Sequence, residues 1–216
     1  MLGIALARPV VFIPAVAVVV LSAALAAYLR PSSAGLTSSL PAEYTGTEIE
    51  ARPAPEFRLT DARGQQWGPG DFRGRTLVMT FLDPRCRDVC PLIALELQKV
   101  VSGLGERAGE AAFLGVNTNP AATRPEDFDF FSASFGLDRL PNWHFVTGPP
   151  DDLEQVWRDY GIASVSLSAE TLQHTSGVFI VDPAGSLRLY AGAPAALESG
   201  PRLSEILLQR LPAYLP

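Results

Sequence analysis

Thr76-Leu77-Val78-Met79-Thr80-Phe81-Leu82, followed without a break by Asp83-Pro84-Arg85-Cys86-Arg87-Asp88-Val89-Cys90-Pro91, decides the fold of this chain. The first seven residues are apolar and partly β-branched, with no apolar/polar alternation, the pattern of a strand buried on both faces. Beyond Pro91, the residues Leu92, Ile93, Leu97, Val100, Val101 and Leu104 recur mostly every three or four positions, which predicts an amphipathic helix. Pro91 falls in its first turn, where a missing N–H costs nothing, and Gly103 and Gly105 lie near its end. The two cysteines of the chain therefore stand where a strand gives way to a helix.

Upstream of the strand, Phe57 and Leu59 alternate with polar residues, Asp61-Ala62-Arg63-Gly64 supplies a turn, and Trp67 opens a second short strand, a β-hairpin. Downstream, Ala112–Val116 reads as another buried strand. A helix follows that Thr123 is placed to cap, with Glu126 three residues on, and its apolar face is Phe128, Phe131 and Phe135 up to Gly136. Leu153, Val156, Trp157 and Tyr160 predict a further helix from about Asp151 to Tyr160. Val178–Val181 and Leu187–Tyr190 flank Asp182-Pro183-Ala184-Gly185-Ser186, a hairpin signal, and Leu203, Ile206, Leu207 and Leu211 mark a closing helix. This order is that of an α/β, thioredoxin-like domain with an N-terminal β-hairpin, expected over residues 56–216.

The first 30 residues differ in kind. Pro9–Leu29 is uncharged, rich in Val, Ala, Leu and Ile, and long enough to cross a hydrocarbon layer of ~30 Å as a single transmembrane helix. Ala24-Leu25-Ala26 has the small-x-small form of a signal-peptide cleavage site, the alternative reading of residues 1–30. Either way the C-terminal part is exported, so the expected location is the cell membrane, single-pass, with the C-terminal domain on the extracytoplasmic side. Residues 31–55, rich in Ser, Thr, Ala, Gly and Pro without apolar periodicity, read as a flexible tether. The net charge of −6 falls to −8 once Arg8 and Arg30 are set aside with the anchor. Such an acidic domain excludes nucleic acid as a natural partner.

Two cysteines four apart in an exported chain suggest first a structural disulfide. Closing so small a loop yields little stabilisation, however, because the gain grows with loop length. A thiol near a helix N-terminus also meets unpaired N–H groups and the positive end of the dipole, which favour the thiolate that attacks disulfides and binds metals. C-x-x-x-C is wider than the usual redox dithiol, and one helical turn puts both sulfurs on one side with room for an ion. A third ligand would complete a trigonal site suited to copper. Of the two histidines, His144 lies in the short apolar strand Trp143-His144-Phe145-Val146 and reads as a core or edge-strand residue. His174 ends a polar loop from Ser164 to Gln173, directly before the Val178 strand, which in a thioredoxin fold starts beside the cysteine turn.

From about Ala54 to its C-terminus the chain resembles the Sco/SenC copper chaperones that serve cytochrome c oxidase. The resemblance is carried by Pro55, Phe57, Leu59, Asp61 and Gly64 of the hairpin, by Asp71-Phe72-Arg73-Gly74-Arg75, by Asp88-Val89-Cys90-Pro91, and by His174 followed by a strand and Asp182-Pro183-Ala184-Gly185. The cysteine loop with the late histidine is its specific part, since the hairpin and Arg-Gly pair occur in TlpA-like reductases and peroxiredoxins too. It implies copper at Cys86, Cys90 and His174, a membrane anchor, and delivery to, or thiol reduction of, the binuclear copper site of oxidase subunit II. Arg87 stands where the family commonly has proline, Gln173 where an aspartate commonly precedes the histidine, and Asn117-Thr118-Asn119-Pro120 where an Asp-Pro segment is common.

Two functions compete on these residues. One is a metallochaperone with no turnover of its own. The other is a thiol-disulfide oxidoreductase acting on exported clients through Cys86 and Cys90 as a redox-active pair, with His174 incidental or a proton shuttle. A thiol peroxidase is a third, for which the sequence marks no peroxide pocket.

Overall fold

The structure, a computed structural model, describes residues 46–166, 172–192 and 202–216. The expected membrane helix and the tether up to residue 45 lie outside the described residues; among those described, no helix is long and apolar enough to cross a membrane. In chain order the elements are β1 (Thr47–Pro53), β2 (Leu59–Asp61), β3 (Gln66–Trp67), β4 (Thr76–Leu82), α1 (Val89–Leu104), β5 (Ala111–Asn117), α2 (Pro125–Ser134), β6 (Trp143–Thr147), α3 (Pro150–Tyr160), β7 (Ser164–Ser166), β8 (Leu172–His174), β9 (Gly177–Val181), β10 (Ser186–Gly192) and α4 (Leu203–Arg210). Among the described residues one mixed sheet runs β1-β10-β9-β4-β5-β6-β2-β3, and β7 and β8 make a separate two-stranded ribbon.

β4 sits at the centre, parallel to β5 and antiparallel to β9. Its Val78 and Leu82 face one core with Ile93, Leu97 and Val100 of α1, Phe128 and Phe131 of α2, and Ile206 and Leu207 of α4. Its Leu77, Met79 and Phe81 face a second core with Leu153, Val156, Trp157 and Tyr160 of α3. Both faces being covered is why β4 shows no apolar/polar alternation. Each such side chain contributes ~1.5–3 kcal/mol by leaving water, so the cysteine loop begins at the end of a strand buried along its whole length. Right after it, α1 packs on α4 where Gly103 leaves no side chain: a Cβ there would come within 2.6 Å of Leu208. Buried Glu96 on α1 accepts from the Ser204 amide (3.0 Å) and hydroxyl (2.6 Å), supplying the acceptor that the first turn of α4 lacks.

The thioredoxin-like order and the β2–β3 hairpin, with Leu59 opposite Trp67, are as expected. Three local expectations change. The tether ends earlier than residue 55, because Thr47–Pro53 pairs antiparallel with β10 as an edge strand; nearly all its residues are exposed, so backbone hydrogen bonds rather than an apolar face hold it, and periodicity had nothing to register. Thr123 does not cap α2: Arg124 is the N-cap residue, Pro125 opens the helix, and no side chain caps it. The polar stretch before His174 contains the ribbon β7–β8, which pairs Ser164 with His174.

Candidate dithiol and metal site

The loop leaving β4 is held from beneath by a buried carboxylate. Asp83 accepts through Oδ1 from the Arg85 amide (2.8 Å) and from Asn119 Nδ2 (3.0 Å), while its carbonyl accepts from the Cys86 amide (3.1 Å). Asn119 is placed in turn by its own amide donating to Asn117 Oδ1 at 2.8 Å. Thus the Asn117–Asn119 turn after β5 locks the loop after β4, and Arg85 ties the loop to α2 through Asp127 at 2.8 Å. Asp88, at the N-cap of α1, accepts from the Val89 amide at 2.7 Å. The helix starts at Val89, so Cys90 lies in its first turn and Cys86 in the loop before it.

The two thiols differ sharply. Cys90 is fully buried and Cys86 partly exposed, and both are free. The Cys90 amide donates to Cys86 Sγ at 3.4 Å, and Cys86 Sγ donates to Asp88 Oδ1 at 2.8 Å. The Cys90 thiol, by donating to Cys86, draws the Cys86 pKa below its ordinary 9.0; burial and the Asp88 carboxylate work against this and backbone N–H groups work with it. Cys90 moves far the other way, because its proton serves Cys86, because it is buried, and because a Cys86 thiolate repels a second charge. Cys86 is therefore the sulfur that ionises first and the one solvent can reach. Accepting the Cys86 proton holds Asp88 below the usual carboxylate range.

His174 reaches this pair from the ribbon. Its Nε2 lies 3.4 Å from Cys90 Sγ, and its Nδ1 lies 2.9 Å from the Thr175 carbonyl. A carbonyl only accepts, so Nδ1 carries the proton and Nε2 turns its lone pair to the sulfur. Gln173 precedes it in the chain, and a backbone carbonyl does the orienting. Thr175 is pinned to Ala163 by two hydrogen bonds, amide to carbonyl (2.9 Å) and hydroxyl from the Ala163 amide (3.0 Å). Gly177, next along, must be glycine, since a Cβ would meet Tyr190 Oη at 2.6 Å and the Ala191 carbonyl at 2.7 Å.

His144 is elsewhere. It lies in β6, an interior strand rather than an edge, with its ring 3.7 Å from that of Trp67 and 5.7 Å from that of Phe72. Burial lowers its pKa below the ordinary 6.5; Asp61 and Asp71 oppose the shift and Arg63 adds to it. The structure thus brings together Cys86, Cys90 and His174 and leaves His144 out. Among the described residues no group of three or more His, Cys, Asp or Glu side chains is arranged so that it could hold a metal ion as it stands. Sequence reasoning missed Asp83, Asn119 and the orienting role of Thr175. Asp88 carried a readable signal, the preference of Asp for a helix N-cap.

A dithiol at the C-terminal end of a central strand, one sulfur buried and touched by an imidazole, defines a thioredoxin-like domain equipped for thiol or metal chemistry. The chain belongs to the SCO1/SenC family, whose sequence profile matches residues 46–198. Among solved structures it is similar to apo Sco1 of Thermus thermophilus (23% identity, TM-score 0.66, 82% of this chain and 99% of that one). It is also similar to copper-bound ScoI of Bradyrhizobium japonicum (21%, TM-score 0.62, 76% and 100%). A third is BsSco (15%, TM-score 0.62, 78% and 96%), described as having a disulfide switch and as a member of the Sco family of cytochrome c oxidase assembly proteins. At these identities the likeness is one of fold.

Proposed function

We propose that this chain is a membrane-anchored, extracytoplasmic copper chaperone that holds copper through Cys86, Cys90 and His174 and passes it to a client, the binuclear copper site of cytochrome c oxidase subunit II. The observation that carries the reading is the contact between Cys90 Sγ and His174 Nε2 at 3.4 Å. Metal–sulfur and metal–nitrogen bonds of ~2.3 and ~2.0 Å, meeting at tetrahedral to trigonal angles, would set such a pair about 3.5–3.7 Å apart. The donor chemistry fits as well: soft thiolates suit copper(I), and imidazole is a fitting further donor for copper. Cys86 would join by exchanging the proton it now shares with Asp88 for the ion, so uptake releases protons. Family membership and the copper-bound and oxidase-assembly relatives point the same way. A thiol-disulfide oxidoreductase would use the same cysteines with His174 incidental or as a proton shuttle, and would need no tightly held copper.

The test is anaerobic titration of the reduced protein with copper(I) against a competing chelator, followed by alkylation. One tightly held equivalent that protects both thiols is expected. Equal alkylation of both thiols with and without copper(I) would refute the shared site.

A further inference from the structure

A cleft of about 460 Å³ opens beside the cysteine loop with Cys86 on its edge. Pro84, Pro91, Phe131 and Phe135 wall it, and Phe130 of α2 stands at its margin with 74% of its surface in water. Among the described residues the exposed large apolar side chains are Phe130, Leu92 and Leu95, and all three are on the two helices that flank the loop. Of these only Phe130 lines the cleft, where with Phe131, Phe135, Pro84 and Pro91 it makes an apolar wall with charged residues at its margin, the make-up of a binding groove. Its charge is also unlike that of the molecule. Two arginines, Arg85 and Arg87, line the cleft against one aspartate, Asp127, on a chain of net charge −6. Asp127 engages Arg85 and also Arg124. Arg87 is exposed and makes no ion pair among the described residues.

We propose that this cleft is the docking site for the client polypeptide: an extended segment that brings a cysteine to Cys86, sets an aromatic or large aliphatic side chain against Phe130, Phe131 and Phe135, and places a carboxylate on Arg87. This rests on the proposed function only in requiring a thiol-bearing protein client. Cys90 is fully buried, so a client sulfur meets Cys86 first. The residues beside that sulfur, spaced ~3.3 Å apart in an extended chain, then fall on whatever adjoins Cys86, which is this cleft. The arginine excess in the cleft of a chain of net charge −6 draws an acidic segment toward Arg87, while the Asp88 carboxylate beside Cys86 keeps a client carboxylate off the sulfur itself, which gives orientation.

The test uses the full, reduced chain and short peptides whose single cysteine is activated as a mixed disulfide with thionitrobenzoate. The Cys86 thiolate attacks the peptide sulfur, the Cys86–peptide disulfide forms, the peptide–aryl disulfide breaks, and coloured thionitrobenzoate leaves with the electron pair. A peptide with Phe and Glu beside its cysteine is expected to react about tenfold faster than one with Ala and Lys, equivalent to ~1.4 kcal/mol. Arg87→Glu should reverse the charge preference and Phe130→Ser should remove the aromatic one. Phe130→Ser should keep wild-type copper(I) affinity and wild-type rates with a small uncharged disulfide; for Arg87→Glu every peptide rate is divided by the rate with that small disulfide, which removes the effect of the new charge on neighbouring Cys86. Equal rates for all peptides, in protein that binds copper(I), would overturn the docking site and leave the metal reading standing. Preferences that survive both substitutions, in rates taken relative to the small disulfide, would also overturn it. A wild-type protein that shows the preferences but binds no copper(I) would support the cleft and sink the copper reading instead.

Discussion

The two histidines lie in similar sequence settings, one within a short apolar strand and the other just before one, yet they occupy opposite kinds of place. His144 is clasped by Trp67 and Phe72 in the packing of β6 against the hairpin, and its partial burial lowers its pKa. His174 sits at the end of the ribbon with one nitrogen on a carbonyl and the other on a buried sulfur. One ring is used for its area and the other for its lone pair. The lesson is that the partner of the second nitrogen, more than burial, separates a core histidine from a ligand.

That contrast can be broken from the cysteine side first. Cys90→Ala removes the sulfur His174 touches, and loss of one of three donors should lower copper(I) affinity by about 10³-fold or more, by analogy with the ~10–16 kcal/mol apparent worth of a structural zinc site. The same change should cost only about 1 kcal/mol of stability, since it vacates little volume. A variant that binds copper(I) as tightly as wild type would dissolve the distinction between the two histidines.

His144→Ala should do the converse. Loss of the stacking with Trp67 and Phe72 is expected to cost about 1–3 kcal/mol in a denaturant titration, with copper(I) affinity within about twofold of wild type. A fall in affinity without a fall in stability would move His144 into the site.

Smaller is the pH effect. Because the fold lowers the His144 pKa below 6.5, the unfolded chain takes up the proton first as pH falls. Stability contributed by keeping this ring neutral is therefore complete above the unfolded pKa, declines as pH drops toward the folded one, and is level beneath it. The pKa values of Asp61, Asp71, Asp88 and Asp127 are lowered instead, so their contributions are lost only as pH falls below 3.8. Denaturation between about pH 7.5 and pH 5.5 should show wild type losing stability that His144→Gln keeps. Parallel profiles would mean that His144 is not buried neutral. Smallest of all, a fragment starting at Glu43 retains β1 and both histidines and should match the full chain in stability and copper(I) affinity; aggregation would mean that the N-terminal segment packs into the domain.

The central strand, the hairpin and the flanking helices were legible because each rests on a local signal: an unbroken apolar run, three-and-four spacing or a turn motif; the cysteine pair at a strand end marked a candidate site in the same way. β1 was not, because an exposed edge strand is held by backbone bonds that leave no mark on side-chain pattern. The support of the site was hidden for a different reason. Asp83 and Asn119 are 36 positions apart and meet only after β4 and β5 align in parallel. The Thr175 carbonyl is a backbone group, and no residue type announces it. Glu96 likewise reads as a surface helix position until α4 is seen to end on it.

The most direct test is copper(I) affinity by chelator competition in wild type, His174→Ala and His144→Ala, with rates of Cys86–Cys90 disulfide formation measured on the same proteins. His174→Ala should lose about 10²–10⁴-fold in affinity, one donor's share of a three-donor site, and keep nearly wild-type disulfide chemistry, while His144→Ala keeps both. Equal copper(I) affinity in wild type and His174→Ala would contradict the three-ligand site and leave the two cysteines to a thiol reductase.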